Sequence, residues 1–171
     1  MKIQILGLGC SGKTVLAKYL SKKLGLTYID ASKYLEIENV GQRFDKYAKD
    51  ILMYDSWIVD GHTGEWMIGS FYKSDYIICI DISDEDLIAR VNELELRNDL
   101  FLNKNIKIDD KYNEQYYNKV TDLEYLKKQR EEIKIRLEIT KAKILLIDGT
   151  KSLKQNYYKI LEFLVNNGEG K

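Results

Sequence analysis

The chain has 171 residues, of which 44% are hydrophobic and 32% charged, and its formal net charge at pH 7 is zero. This composition suits one soluble domain with a sizeable core and excludes a disordered chain. It provides no excess charge for nucleic acid or an anionic membrane, and no apolar stretch reaches the length of a membrane span. Two isolated cysteines and no signal-peptide layout predict a cytoplasmic protein without nucleic-acid or membrane partners.

Short apolar runs alternate with helical patterns along the chain. The predicted strands are Ile3–Leu6, Leu26–Ile29, Trp57–Val59, Tyr76–Ile82 and Ile144–Ile147. Five helices are predicted: one that ends at Leu24, one over Phe44–Leu52, one after a cap at Ser83–Asp86, one that begins at a capping box Thr121-x-x-Glu124, and one over Leu153–Leu164. The fourth carries Leu123, Leu126, Ile133 and Leu137 on one stripe. This alternation predicts an α/β fold, a three-layer αβα arrangement with a five-stranded parallel sheet and ligands at the carboxyl ends of the strands.

A phosphate-binding loop lies between the first predicted strand and helix. Gly7–Thr14 reads GLGCSGKT and matches G-x-x-x-x-G-K-[ST] in full. Its glycines let backbone N–H groups surround an anion, Lys13 supplies a mobile positive charge, and the Thr14 hydroxyl is a ligand for Mg²⁺. The loop predicts binding of ATP or GTP with Mg²⁺, through Gly7, Gly9, Cys10, Ser11, Gly12, Lys13 and Thr14. An ordinary glycine-rich turn is the alternative.

Two acidic residues that follow predicted strands are candidates for the metal. Asp60 ends the third predicted strand, and Asp81 lies at the end of the fourth. A carboxylate at such a strand end commonly holds Mg²⁺ in P-loop proteins, so we predict that Asp60 serves the metal with Thr14, and Asp81 is its rival. The structural alternative for Asp60 is a plain turn with Gly61. His62, the one histidine, is predicted to contact the acceptor or a metal-bound water; a loop residue with local hydrogen bonds is the alternative.

The chain has few arginines, and their positions suggest functional roles. Phosphoryl transfer needs permanent planar cations around the transferring group. We predict catalytic roles for Arg90 and Arg130, and nucleotide contacts for Arg97 and Arg136; salt bridges to Glu93, Glu131 or Glu132 are the alternative. Arg43 and Asp30 lie where an acceptor is expected, since Asp30 ends the second strand and Arg43 precedes the next helical stripe.

Taken together, these features resemble P-loop small-molecule kinases of the adenylate kinase-like group. Bacterial kinases of the DNA topology modulation type share the Gly9–Thr14 loop, an Asp at position 30, the Trp57–Gly61 strand and an arginine such as Arg90 after the fourth strand. Broad-specificity archaeal and nuclear adenylate kinases share an Asp-x-His pattern such as Asp60-Gly61-His62. The resemblance implies one kinase domain over residues 1–171, ATP and Mg²⁺ as cofactors, a small-molecule acceptor, and a lid insertion at 98–120.

Two departures from that group leave the acceptor open. Classical adenylate kinases carry an arginine soon after the third strand and others in the lid, but residues 62–66 and 98–129 contain none. Three functions therefore remain: a kinase of a nucleotide or nucleoside-like acceptor, a kinase of a non-nucleotide metabolite, and a nucleotide-dependent regulatory module. We expect a monomer or a homodimer.

Overall fold

A computed structural model describes residues 1–61, 63–103 and 114–168, without the side chains of 97–103 and 114. Over these residues, five parallel strands form one sheet in the order β2-β3-β1-β4-β5. The strands are β1 Lys2–Gly7, β2 Thr27–Asp30, β3 Trp57–Asp60, β4 Tyr76–Asp81 and β5 Lys143–Asp148. All five lie where the apolar runs predict them, and the parallel sheet is confirmed.

Helices cover both faces of this sheet. The helices are α1 Lys13–Leu24, α2 Val40–Leu52, α3 Ile68–Lys73, α4 Asp84–Asn103, α5 Glu114–Thr121, α6 Leu123–Ile139 and α7 Leu153–Asn167, with short 3-10 helices at Ala31–Glu36 and Glu65–Met67. Alternate residues of β3 belong to different buried clusters: Trp57 and Val59 pack with α2, α3 and α6, whereas Ile58 packs with α1 and α7. The two clusters therefore lie on opposite faces, which confirms the three-layer αβα arrangement.

The start of α6 differs from the prediction. Asp122, and not Thr121, is the N-cap, and its carboxylate accepts a hydrogen bond from the backbone N–H of Tyr125 at 2.7 Å. Thr121 is the last residue of α5, and its hydroxyl donates to the carbonyl of Tyr117 at 3.0 Å. Leu123, the first residue of α6, is 63% exposed, so the buried stripe begins one turn later, at Leu126. The predicted capping box was wrong because an aspartate follows directly and caps the helix one residue later.

Most of the predicted lid insertion that the structure describes is helical. α4 continues through residues 98–103 without a break, and α5 covers residues 114–121. Val91 of α4 packs with Tyr117 and Val120 of α5 in a small buried cluster that also contacts Cys10 of the P-loop. Residues 104–113 lie outside the described ranges, so a lid role for 98–120 stays a prediction.

Among the residues that the structure describes, no helix combines the length and apolar character needed to span a bilayer.

Candidate functional site

The P-loop connects β1 to α1 at the carboxyl end of the central strand. Gly12 has a φ of +96° and is the N-cap of α1, a backbone conformation that glycine adopts without a steric penalty. Cys10 also has a positive φ, +59°. The amino-terminal end of α1, with the positive end of its dipole, thus lies at the loop, as an anion site requires.

Lys13 is folded back onto the loop. Its ammonium donates a hydrogen bond to the carbonyl of Leu8 at 2.6 Å. Burial lowers the pKa of Lys13, an effect that the nearby carboxylate of Asp60 partly opposes. A desolvated ammonium that bonds a neutral carbonyl gains more from an anionic oxygen, because charge-assisted hydrogen bonds are stronger. Lys13 is therefore suited to bind a phosphate that enters the loop.

The carboxylate of Asp60 lies directly beside the loop. Asp60 is 1% exposed, and its Oδ2 accepts a hydrogen bond from the hydroxyl of Thr14 at 2.6 Å. Its Oδ1 accepts a second hydrogen bond, from the hydroxyl of Tyr28 at 2.7 Å. The side chain of Asp81, by contrast, is 73% exposed and lies 4.0 Å from Arg130. Of the two candidate carboxylates, the structure brings Asp60 to the P-loop threonine.

The donor set beside the loop fits Mg²⁺. A threonine hydroxyl and a carboxylate are hard oxygen ligands, and Mg²⁺ usually takes one or two such groups and completes its shell with water and substrate phosphates. Among the described residues, no group of three or more histidine, cysteine or acidic side chains could hold a metal by itself. Two oxygen ligands such as Thr14 and Asp60 fit a cation whose shell nucleotide phosphates would complete.

Arg90 joins the P-loop to the loop after β5. Its guanidinium donates to the carbonyl of Ser11 at 2.8 Å and to the carbonyl of Gly149 at 2.5 Å. Beside it lies a cavity of about 280 Å³, whose lining includes Val15, Leu94, Lys151 and Asn156. A second cavity of about 330 Å³ is lined by the loop and by Tyr116 and Tyr117 of α5. Arg90 thus lies at the P-loop, and its catalytic role stays a prediction.

The other predicted cationic residues bond to different parts of the fold. Arg130 donates to the carbonyl of Ile82 at 2.9 Å and pairs with Asp84, at the junction of β4 and α4. Arg136 donates to the carbonyl of Thr63 at 2.9 Å, in the loop after β3. The side chain of Arg97 lies outside the described residues.

Asp30 and Arg43, predicted to meet the acceptor, are both engaged locally. Asp30 pairs in register with Asp60 at the carboxyl end of the sheet, and its carboxylate accepts hydrogen bonds from the backbone and hydroxyl of Ser32. Arg43 donates twice to the carbonyl of Ile37, and its guanidinium lies 5.8 Å from the ring centroid of Trp66. His62 lies outside the described residues.

Three features of this site do not follow from the sequence motifs. Tyr28 contacts the proposed metal carboxylate, and the only sequence indication is its position two residues before Asp30, on the same side of the strand. Val120 of α5 packs against Gly9 of the P-loop, without any local signal. Thr63 donates to Glu132 at 2.8 Å, which ties the loop after β3 to α6.

A parallel sheet in this strand order, with a complete P-loop after β1 and an aspartate at the end of β3, defines a P-loop protein with the αβα fold of small-molecule kinases. The chain is 20% identical to a shikimate kinase from Aquifex aeolicus, with a TM-score of 0.61 over 100% of both chains. It is 18% identical to the deoxyadenosine kinase from M. mycoides with bound dATP, with a TM-score of 0.62 over 96% of this chain and 100% of that one. No family model matches the chain, and no curated protein matches it significantly. The likeness establishes the fold and leaves the acceptor open.

Proposed function

We propose that this protein is an ATP-dependent phosphotransferase that uses Mg²⁺ and acts on a nucleotide or nucleoside-like acceptor. One observation carries the proposal: the buried Asp60 accepts a hydrogen bond from Thr14, the hydroxyl-bearing residue that directly follows Lys13 in the P-loop. A plain glycine-rich turn does not need a carboxylate buried beside it, and burying such a charge without a ligand to bind costs free energy.

The proposal assigns roles to Lys13, to the backbone of the loop and to the two oxygen ligands beside it. Lys13 exchanges the carbonyl of Leu8 for phosphate oxygens and balances their charge. The backbone N–H groups of Gly7–Thr14 and the amino-terminal end of α1 hold the same phosphates. Mg²⁺, bound through Thr14 and Asp60, would neutralise charge that develops on the phosphates.

The arginines supply further positive charge in the proposal. Arg90 is anchored to the carbonyl of Ser11 and keeps its guanidinium at the edge of the loop, where it can meet a phosphate. Arg130 can stabilise the moving phosphoryl group only if it leaves Asp84. We keep Arg97 and Arg136 as proposed nucleotide contacts, and α5, which packs on the P-loop, as part of a lid that limits access of water.

The acceptor is proposed to lie near the carboxyl ends of β2 and β3. Asp30 and Asp60 are paired there, with Arg43 and His62 as the further predicted contacts. A second candidate acceptor is a non-nucleotide hydroxylated metabolite. Two observations favour it: residues 62–66 carry no arginine for an acceptor phosphate, and a neighbour that the chain matches from end to end is a shikimate kinase.

The test is ADP production from Mg·ATP in the presence of nucleosides, nucleoside monophosphates and hydroxylated acids. The controls are Lys13→Ala, which removes the P-loop cation, and Lys22→Ala, which removes an exposed lysine of the same helix. We expect one nucleoside or nucleotide to stimulate turnover in the wild type and in Lys22→Ala, and not in Lys13→Ala. Stimulation by a metabolite alone would replace the acceptor class. ATP binding through Lys13 without any stimulation would favour a regulatory module.

A further inference from the structure

Both oxygens of the Asp60 carboxylate are held by hydroxyl groups from different elements. Thr14, in the first turn of α1, donates to Oδ2 at 2.6 Å, and Tyr28, on the edge strand β2, donates to Oδ1 at 2.7 Å. Asp60 is 1% exposed, so water does not supply these hydrogen bonds. The Tyr28 hydroxyl therefore satisfies the second carboxylate oxygen, Oδ1, and it also lies within hydrogen-bonding reach of Thr14.

The position of Tyr28 follows from the register of the sheet. Tyr28 pairs with Ile58, and Asp30 pairs with Asp60, so Tyr28 lies two residues from the pairing partner of Asp60 and on the same face. Its ring packs with the buried cluster beneath α1, and the ammonium of Lys18, one turn after Thr14, lies 5.7 Å from the ring centroid. Packing against this cluster and the contact with Lys18 favour the ring position from which the hydroxyl reaches Asp60.

We propose that Tyr28 is a positioning residue, whose hydroxyl fixes the Asp60 carboxylate and thereby orients the Thr14 hydroxyl for the divalent cation of the nucleotide. The inference rests on the proposed function, because it concerns the same phosphate site.

The reason lies in the direction of the Thr14 hydroxyl. A hydroxyl that donates its proton to Asp60 turns its lone pairs away from that carboxylate, and these lone pairs are what a cation binds. A carboxylate held at one oxygen only can rotate about its terminal torsion, since that torsion is broad. Tyr28 removes this freedom.

The test is the Mg²⁺ dependence of nucleotide binding in Tyr28→Phe, measured with a fluorescent ADP analogue and without any turnover. We expect the Mg²⁺ concentration for half-maximal effect to rise about fivefold to tenfold, while affinity measured in EDTA changes less than about twofold. Tyr76→Phe is the matched control, because it too removes a tyrosine hydroxyl that donates a hydrogen bond, in this case to the carbonyl of Asn167, outside the site. It should keep the wild-type Mg²⁺ dependence.

A double variant separates positioning from a general loss of stability. If Tyr28 acts through Asp60, adding Tyr28→Phe to Asp60→Asn should leave the Mg²⁺ dependence of Asp60→Asn unchanged, whereas independent effects would add. A Mg²⁺ dependence that Tyr28→Phe leaves at the wild-type value would overturn the inference alone. A wild type that binds no nucleotide, or binds it equally well as Lys13→Ala, would overturn the proposed function, and this inference with it.

Discussion

Gly9 of the P-loop and Val120 of α5 are in such close contact that position 9 has no room for a side chain. A β-carbon at position 9 would come within 2.7 Å of a Val120 methyl carbon and 3.3 Å of the Tyr116 hydroxyl oxygen. Val120 is 1% exposed, and β-branched side chains have little χ1 freedom in helices. The close approach of α5 to the loop therefore depends on a glycine that the P-loop pattern itself leaves unspecified.

Gly9→Ala should therefore destabilise the protein by about 1–3 kcal/mol, as overpacking does in a close-packed core. Urea unfolding of Gly9→Ala, Val120→Ala and the double variant measures the coupling. We expect the double variant to be more stable than the sum of the single effects predicts, since the smaller side chain at 120 makes room. Gly69→Ala is the control, because nothing lies within 4 Å of its added carbon. Additive effects would show that the two residues are not in contact.

The link from Arg90 to the P-loop gives a second prediction. One guanidinium bonds two carbonyls, those of Ser11 and Gly149, from two different loops. A lysine keeps the charge but has no planar fork to span both. Arg90→Lys should raise the dissociation constant for ATP about tenfold, the effect of losing roughly 1.4 kcal/mol of binding free energy. Isothermal titration with ATP measures this. An unchanged dissociation constant would show that Arg90 contributes only its positive charge to ATP binding.

The sequence was sufficient for those parts of the fold that depend on local patterns. The apolar run at β4, the helix stop at Gly25 and the P-loop between β1 and α1 each carry their own signal. Together they predict the layers and place the phosphate site at the carboxyl ends of the strands. The cap of α6 was misplaced because Thr121 and Asp122 are both good cap residues, and only the structure shows which one α6 uses.

Contacts between remote elements could not be predicted in this way. The alternation of strands and helices does not specify that β2 pairs with β3, and without that pairing Tyr28 has no reason to meet Asp60. The stripe of α6 places Arg130 toward the core, but it does not say which strand end the guanidinium meets. Packing between elements, and not local propensity, decides these positions.

A buried thiol in β4 gives a prediction on pH. Burial, reinforced by Asp81, raises the pKa of Cys79 to about 11 from its ordinary value of 9.0. The unfolded chain therefore loses this proton at lower pH than the folded protein, so the contribution of Cys79 to stability is complete below pH 9 and declines as pH rises toward 11.

The comparison of wild type with Cys79→Ala isolates this effect from the tyrosines, which titrate in both proteins. The wild type should exceed the variant in unfolding free energy at about pH 8, and the difference should fall by roughly 2 kcal/mol by about pH 10.5. Urea unfolding at the two pH values measures it. A difference that stays constant would show that the Cys79 thiol titrates alike in the folded and unfolded protein.

Arg130 provides the last prediction, because its observed partner competes with its proposed role. Its guanidinium bonds the carbonyl of Ile82 and pairs with Asp84, and the two side chains are 37% and 44% exposed. An exposed pair of this kind contributes at most about 1 kcal/mol, so the arginine can leave it at little cost. If Arg130 stabilises the moving phosphoryl group, Arg130→Lys should lower kcat at least tenfold and leave the KM for ATP nearly unchanged. Asp84→Asn, which removes the charge of the paired carboxylate and leaves the bond to Ile82, should keep kcat or raise it. Both variants are compared in urea unfolding and in phosphoryl transfer to whichever nucleoside, nucleotide or hydroxylated acid stimulates the wild type. Equal losses of stability with kcat unchanged in both would make Arg130 an anchor of the junction between β4 and α4.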